Sequence, residues 1–163
     1  MAVTLRPQCD DDDQFLCEVY GSTRAEELAI VNWTPEQKLS FIKMQYNAQT
    51  QFYREVYPEM EYSIIVHDGV DAGRLIVARL QNEIRVIDIA LLPAHRGSGI
   101  GKSLLLEIMA EAREVNKPVR LHVEHFNRAR NLYDRLGFRP VADRGVHVMM
   151  EWTPAAIATT VNA

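Results

Sequence analysis

Cysteine is almost absent from this chain: Cys9 and Cys17 are the only two in 163 residues. Both lie near the N-terminus without a C-x-x-C or histidine pattern, which excludes a disulfide framework and a thiolate metal site. No apolar run reaches membrane-spanning length, and the N-terminus lacks the charged-then-apolar layout of a secretory signal. These absences lead us to expect a protein of a reducing, cytoplasmic compartment with no membrane partner. Basic residues are outnumbered, 18 Lys and Arg against 22 Asp and Glu, for a net charge of −4. With no Lys/Arg cluster to neutralise a phosphate backbone, nucleic acid is not expected as a partner. Internal repeats and low-complexity segments are absent as well.

What is present is ordinary for a globular protein, 47% hydrophobic and 25% charged residues. The length suits one domain with its own core; we place it at 1–154 and expect the tail 155–163 to fray. Val3–Arg6 predicts a first strand, stopped by Pro7. Apolar spacing at Phe15, Leu16, Val19 and Tyr20 predicts a helix over Asp12–Leu28. The acid run Asp10–Asp13 before it reads as a solvated helix start, with one carboxylate free to cap. Thr34-Pro35-Glu36-Gln37 is a helix-start signature, with Thr34 as cap and Gln37 three residues on; the helix it opens runs to Tyr57-Pro58.

Tyr62–Val66 and Arg74–Leu80 predict an antiparallel hairpin with a turn at His67-Asp68-Gly69 and a second near Asp71–Gly73. Ile84–Leu92 is nearly all apolar toward its end and reads as a central, buried strand. Gly99–Val115 predicts an amphipathic helix, Pro118–Val123 a strand, and Asn127–Leu136 a helix stopped by Gly137. Phe138–Val141 and Val146–Trp152 form a closing strand pair. The order β-α-α-β-β-β-α-β-α-β-β defines an α+β fold, layered α/β/α. A mixed sheet of about seven strands is flanked by about four helices.

The stretch Ile87–Leu105 carries the chemistry. An apolar strand, a proline and a glycine-rich loop lead directly into a helix, whose unpaired N–H groups and partial positive charge can cradle a phosphate. A Walker A loop needs four residues between its first glycine and Gly-Lys-Ser/Thr. Gly101-Lys102-Ser103 supplies that end, but only three residues separate Gly97 from it and Arg96 occupies the first-glycine position. A dinucleotide fingerprint needs G-x-G-x-x-G and an acid about 20 residues on. Here the third glycine comes one position early, and Leu121 stands where the acid belongs.

Arg96-Gly97-Ser98-Gly99-Ile100-Gly101 instead follows Arg/Gln-x-x-Gly-x-Gly/Ala after a strand ending in proline. On this loop the chain resembles the GCN5-related N-acetyltransferase (GNAT) superfamily. The segment Asn127…Leu132-Tyr133-Asp134-Arg135-Leu136-Gly137-Phe138, with Ala129 at a usually small position, is similar to a second motif of that superfamily. The resemblance covers nearly the whole chain and implies the element order above.

It further implies acetyl-CoA as co-substrate and an acetyl-CoA-dependent N-acetyltransferase acting on a primary amine by direct attack in a ternary complex. The backbone of Ile89, Ala90 and Leu91 would pair with the pantetheine arm and polarise the thioester carbonyl. Arg96, Gly97, Ser98, Gly99, Ile100, Gly101 and Lys102 would take the pyrophosphate. Asn127 resembles the residue that contacts the CoA arm, and Arg130 could reach its phosphates; Asn127 also suits a helix cap. Tyr133 matches the position of a general acid for the departing thiolate, and it equally suits the core face of its helix.

An acceptor amine is charged at neutral pH, so exposing its lone pair costs about 4–5 kcal/mol and requires a base. The candidates are His122, Glu124 and Asp88. Alternation puts His122 and Glu124 on one face and Leu121 and Val123 on the other. His122 aligns with a position at which some members carry a catalytic glutamate. No metal is expected: His122-x-Glu124 lacks the cysteine pair of a zinc deaminase, and nothing around His125 adds zincin spacing.

The acceptor wall is expected from Arg24, Glu26, Glu27, Trp33, Phe41, Met44, Gln45, Tyr46, Gln49, Phe52 and Tyr53, with more than half of its aromatics simply core. A small-molecule amine is the first acceptor expected and a peptide or protein amine the second. A catalytically silent CoA-binding interaction module of the same fold is the competing reading. The last strand pair offers an edge for a homodimer.

Overall fold

The computed structural model describes residues 2–155. Beyond Ala155, the tail expected to fray lies outside the described residues. The elements are β1 (Val3–Pro7), α1 (Asp13–Thr23, entered through a 3-10 turn at Asp10–Asp12), α2 (Ala25–Ala29), α3 (Pro35–Val56), β2 (Met60–His67), β3 (Val70–Arg79), β4 (Ile84–Leu91), α4 (Ile100–Val115), β5 (Val119–Glu124), α5 (Ala129–Leu136), β6 (Arg139–Arg144) and β7 (His147–Trp152). A second 3-10 turn, Pro93–His95, separates β4 from the glycine loop. The strands form one seven-stranded mixed sheet in the order β1-β2-β3-β4-β5-β7-β6. β4 and β5 are parallel, joined through α4, whereas β5–β7, β6–β7 and β1–β2 are antiparallel.

The α+β architecture expected from the sequence is present, with five helices among the elements of the described residues because the first breaks in two. Arg24 leaves helical geometry (φ −106°, ψ 2°), its N–H turns back to the Gly21 carbonyl, and α2 starts at the next residue. α3 begins as its signature predicts. The Thr34 hydroxyl accepts from the Gln37 N–H, and the Gln37 side chain accepts from the Thr34 N–H, satisfying two donors that the helix leaves unpaired.

Two compact units make up the chain. One comprises Met1–Ile76 and Asp88–Ser98. Its core joins Leu16, Tyr20, Tyr46 and Ile64, with Phe15, Cys17, Ile42 and Val66 packed against them. Full burial of Leu16 alone is worth about 2 kcal/mol. The other comprises Val77–Ile87 and, as far as it is described, Gly99–Ala163. There α4 buries Leu104, Leu105, Ile108, Met109 and Ala112 on one face. Leu121 and Val123 of β5 are buried too, opposite Met150 and Val148 of β7.

Three local expectations are corrected. The β2–β3 hairpin has one turn, not two: Asp68 and Gly69 both take positive φ (50° and 82°), the geometry of a tight two-residue hairpin turn. Asp71–Gly73 therefore stays in β3.

The acid run is not uniformly solvated. Asp12 is buried, accepts from both Arg6 Nη1 and Nη2 (3.0 and 2.7 Å), and also accepts from the Cys9 N–H. The Arg6 hydrogen bonds and then the Cys9 N–H hold its carboxyl well below the usual carboxylate range. Lastly, the aromatics of the expected acceptor wall are mostly not core. Tyr46 is buried, whereas Trp33 and Phe52 are exposed and Phe41 and Tyr53 are half-buried.

Candidate active site

The glycine loop begins where β4 ends. Gly97 and Gly99 take positive φ (76° and 85°), and Gly99 caps α4 in the left-handed conformation. A side chain at either glycine would be strained by the backbone alone. The first helical bond of α4 runs from the Ser103 N–H to the Gly99 carbonyl. The amides ahead of it lie at the positive end of a 16-residue helix. Arg96, Gly97, Ser98, Gly99 and Lys102 are exposed, Gly101 is half-buried and Ile100 anchors the loop in the core.

The base of the loop is braced from several sides. Arg96 Nε donates to the Leu91 carbonyl (2.9 Å) and Arg96 Nη2 to Ser22 Oγ (3.2 Å). The Ser98 hydroxyl donates to the His95 carbonyl. His95 Nδ1 and His67 Nδ1 are 2.9 Å apart, so one ring donates and the other accepts. The structure thus ties Arg96 to protein oxygens, so its charge reaches the loop from a fixed place.

Ile89, Ala90 and Leu91 lie on β4, half-buried. The β4–β5 ladder covers Ile84–Val119, Arg85–Arg120 and Val86–Leu121. β5 continues through His122, Val123 and Glu124 against Met149, Val148 and His147 of β7. β4 is buried at Ile84 and Val86 and only half-buried from Ile87 onward, so the expected fully buried strand is buried in its first half alone.

Asp88 is held by a residue that the sequence did not single out. Arg74, in β3, is only 4% exposed. Its Nε donates to Asp88 Oδ2 (2.6 Å) and its Nη2 to Gln49 Oε1 on α3 (2.7 Å). The same guanidinium stands 5.8 Å from the centre of the Tyr46 ring. Leaving such a buried charge without its partner would cost about 3–5 kcal/mol. Nearby, burial pushes the Tyr53 phenol well above its usual range and the Asp88 charge adds to that shift, so Tyr53 stays neutral. A lone arginine inside the apolar run Ala72–Ala78 was the available signal.

On β5, alternation holds as expected: Leu121 and Val123 are buried, whereas His122 is exposed and Glu124 half-buried. Protein crowding around the ring is the largest influence on His122 and lowers its pKa, and the charges of Arg85 and Arg144 lower it further. Glu124 Oε1 lies 4.0 Å from His147 Nε2.

Asn127 acts as a local cap, its Oδ1 accepting from the Ala129 N–H (2.9 Å) as α5 begins. Arg130 Nη1 reaches His125 Nδ1 at 3.4 Å. Tyr133 is buried, 6% exposed, with its ring 5.8 Å from that of Phe138.

A seven-stranded mixed sheet with a parallel strand pair joined through a glycine loop and a helix defines an α+β protein whose loop amides are of the kind that can take a phosphate. Residues 58–140 match the model of the acetyltransferase (GNAT) domain, and the chain belongs to this family. Among curated proteins it is similar to the [ribosomal protein bS18]-alanine N-acetyltransferase of Haemophilus influenzae, 34% identical over 78 residues. That match takes in 47% of this chain and 53% of the relative, so the chain spans about half the relative's length.

Among solved structures it is similar to the PaiA N-acetyltransferase of Thermoplasma acidophilum in complex with coenzyme A (TM-score 0.71, 21% identity, 94% of this chain and 100% of that one). It is also similar to an acetyltransferase of Thermus thermophilus (TM-score 0.67, 19% identity, 94% and 98%). Ard1 of Thermoplasma volcanium is a further likeness (TM-score 0.62, 20% identity, 94% and 98%). At these identities the structures speak for the fold.

Proposed function

We propose that the protein transfers an acetyl group from acetyl-CoA to a primary amine by direct attack within a ternary complex. The observation that carries this reading is the loop Arg96–Lys102. It is exposed from Arg96 to Gly99, has positive φ at Gly97 and Gly99, and opens the amphipathic helix α4. Its amides suit a pyrophosphate, with Arg96 and Lys102 supplying positive charge. A structural likeness solved with coenzyme A supports the same donor.

In this reading the backbone of Ile89, Ala90 and Leu91 holds the pantetheine arm as an added strand, and its N–H groups stabilise the oxyanion. His122 removes the proton from the acceptor ammonium. The amine nitrogen then attacks the thioester carbonyl, the C–N bond forms and the C–S bond breaks. Tyr133 gives its phenolic proton to the departing thiolate. The lowered His122 pKa supports its role, because a base must be unprotonated at neutral pH. Glu124, on the same face of β5, is the base that remains if His122 is not. Asn127, just ahead of α5, contacts the CoA arm in this reading, and Arg130 in its first turn reaches the phosphates.

A small amine-bearing molecule is the first acceptor to test and a peptide amine the second, the second supported by the alanine N-acetyltransferase likeness. The scarcity of cysteine supports a reducing, cytoplasmic setting.

Release of free thiol from acetyl-CoA over a panel of amines tests the function. Thiol release that depends on both amine and protein is expected. Tight CoA binding with no thiol release for any amine would leave a CoA-binding module instead.

A further inference from the structure

We propose that Asp88 and Gln49 form an acceptor-recognition pair selecting an α-aminoacyl group: the ammonium on the free Asp88 oxygen, the adjacent carbonyl on the Gln49 amide. This rests on the acetyl-transfer reading and names the substrate class for that site.

The pair is built around one buried cation. Arg74 directs Nε and Nη2 to the same oxygen of Asp88, Oδ2, at 2.6 and 2.5 Å. Oδ1 has no hydrogen-bond partner among the described residues, and the side chain is 24% exposed. Arg74 Nη2 also takes Gln49 Oε1 at 2.7 Å, which fixes the amide with its NH₂ end turned away from the guanidinium. Gln49 is half-buried and its NH₂ has no other partner among the described residues.

The result is a carboxylate oxygen and an amide N–H₂ offered side by side, both oriented by a side chain that cannot itself reorient. Asp88 Oδ2 and Gln49 Oε1 share one guanidinium nitrogen, so these two bound oxygens lie no more than about 5 Å apart and the two side chains are neighbours. One acceptor for an ammonium and one donor for a carbonyl on neighbouring side chains match an amine with a carbonyl on the adjoining carbon. A plain alkylamine would fill the carboxylate and leave the Gln49 donor unmatched, which disfavours it.

The same geometry separates Asp88 from the role of base. Its Oδ2 is engaged twice by a buried guanidinium, which leaves Oδ1 as a fixed anchor. Its free oxygen can anchor an ammonium while another group deprotonates it.

The test compares alanine amide with propylamine, each given with acetyl-CoA, on the wild type, Asp88→Asn and Gln49→Met. Direct binding of both amines, read by NMR chemical-shift titration, accompanies the thiol-release kinetics. We expect the wild type to prefer alanine amide by at least tenfold in kcat/KM and in binding. Asp88→Asn should raise KM for both amines with the pH midpoint of kcat unmoved. Gln49→Met leaves the Arg74–Asp88 pair whole and so guards against a folding defect; it should abolish the preference between the two amines.

A wild type that treats the two alike overturns the proposal, as does an Asp88→Asn variant that shifts the pH midpoint at constant KM. Selective binding of alanine amide that depends on Gln49 but yields no thiol would uphold the recognition pair and defeat the acetyl-transfer reading alone.

Discussion

Gly73 on β3 and Ala90 on β4 approach so closely that a Cβ on Gly73 would stand 2.0 Å from the Ala90 carbonyl oxygen. The obstacle is backbone on both sides, so no rotamer change relieves it. Beside this contact the Leu92 N–H donates to the Ala72 carbonyl at 2.8 Å. Gly73→Ala should therefore force the strands apart and cost at least about 3 kcal/mol, the upper range of overpacking. Chemical denaturation reads the stability, and CoA affinity should fall in parallel because Ala90 lies in the stretch proposed for the pantetheine arm.

The loop glycines should separate by mechanism. Gly99 has φ +85° and open space around its would-be Cβ, so Gly99→Ala should cost about 1–2 kcal/mol of backbone strain with no clash. Gly101 lies inside α4, and its would-be Cβ meets Leu132 at an ordinary 3.9 Å. Gly101→Ala should keep or raise stability by up to about 1 kcal/mol. A loss of CoA affinity in that variant, seen by calorimetry at undiminished melting temperature, would report ligand approach alone.

Arg6 and Asp12 tie the first strand to the turn that enters α1. Asp12→Asn should cost about 2 kcal/mol, since hydrogen bonds to charged groups are lost while Arg6 keeps Asp71. The folded pKa of Asp12 lies below its unfolded value of about 3.9. The pair's contribution is therefore complete above that pH and disappears as pH falls through the folded value. Urea midpoints of the wild type and Asp12→Asn should converge below about pH 4.

His122 acts on stability in the same sense but over a higher pH range. Its folded pKa is lowered, so between that value and about 6.5 the unfolded chain binds more protons and stability rises with pH. If it is also the base, kcat/KM should climb to a plateau with a midpoint below about 6.5. His122→Ala should erase that limb; Glu124→Gln should leave it. The reverse outcome would assign the base to Glu124.

Tyr133→Phe removes only an oxygen from a ring that packs on Phe138. Fold stability should change by no more than about 1.5 kcal/mol. If the phenol protonates the thiolate, kcat should fall about 100-fold at constant CoA affinity. An unchanged rate would leave Tyr133 as a core aromatic.

Most of the elements were readable because their signals are local. Thr34 and Gln37 are three residues apart, and Gly97 and Gly99 act on their own backbone. The Asp71–Gly73 turn was misread because glycine marks either a turn or a close backbone approach, and only the neighbouring strand distinguishes them. Asp12 was read as solvated because its partner Arg6 comes from β1 and nothing in the run of acids distinguishes it from Asp11. The expectation that most acceptor-wall aromatics are core rests on aromatic content predicting burial, while the 22-residue length of α3 leaves most of its surface facing outward.

By itself the sequence determined the glycine loop and its flanking strand and helix, because steric limits on φ and the unpaired amides of a helix start act within a few residues. The chemistry of Asp88 was decided only by the tertiary structure. On the sequence Asp88 is one candidate base among three; β3 brings Arg74 beside it from 14 residues away, and α3 brings Gln49 to the same guanidinium from 25. Pairings at that range follow from sheet register and helix docking, and no spacing along the chain encodes them.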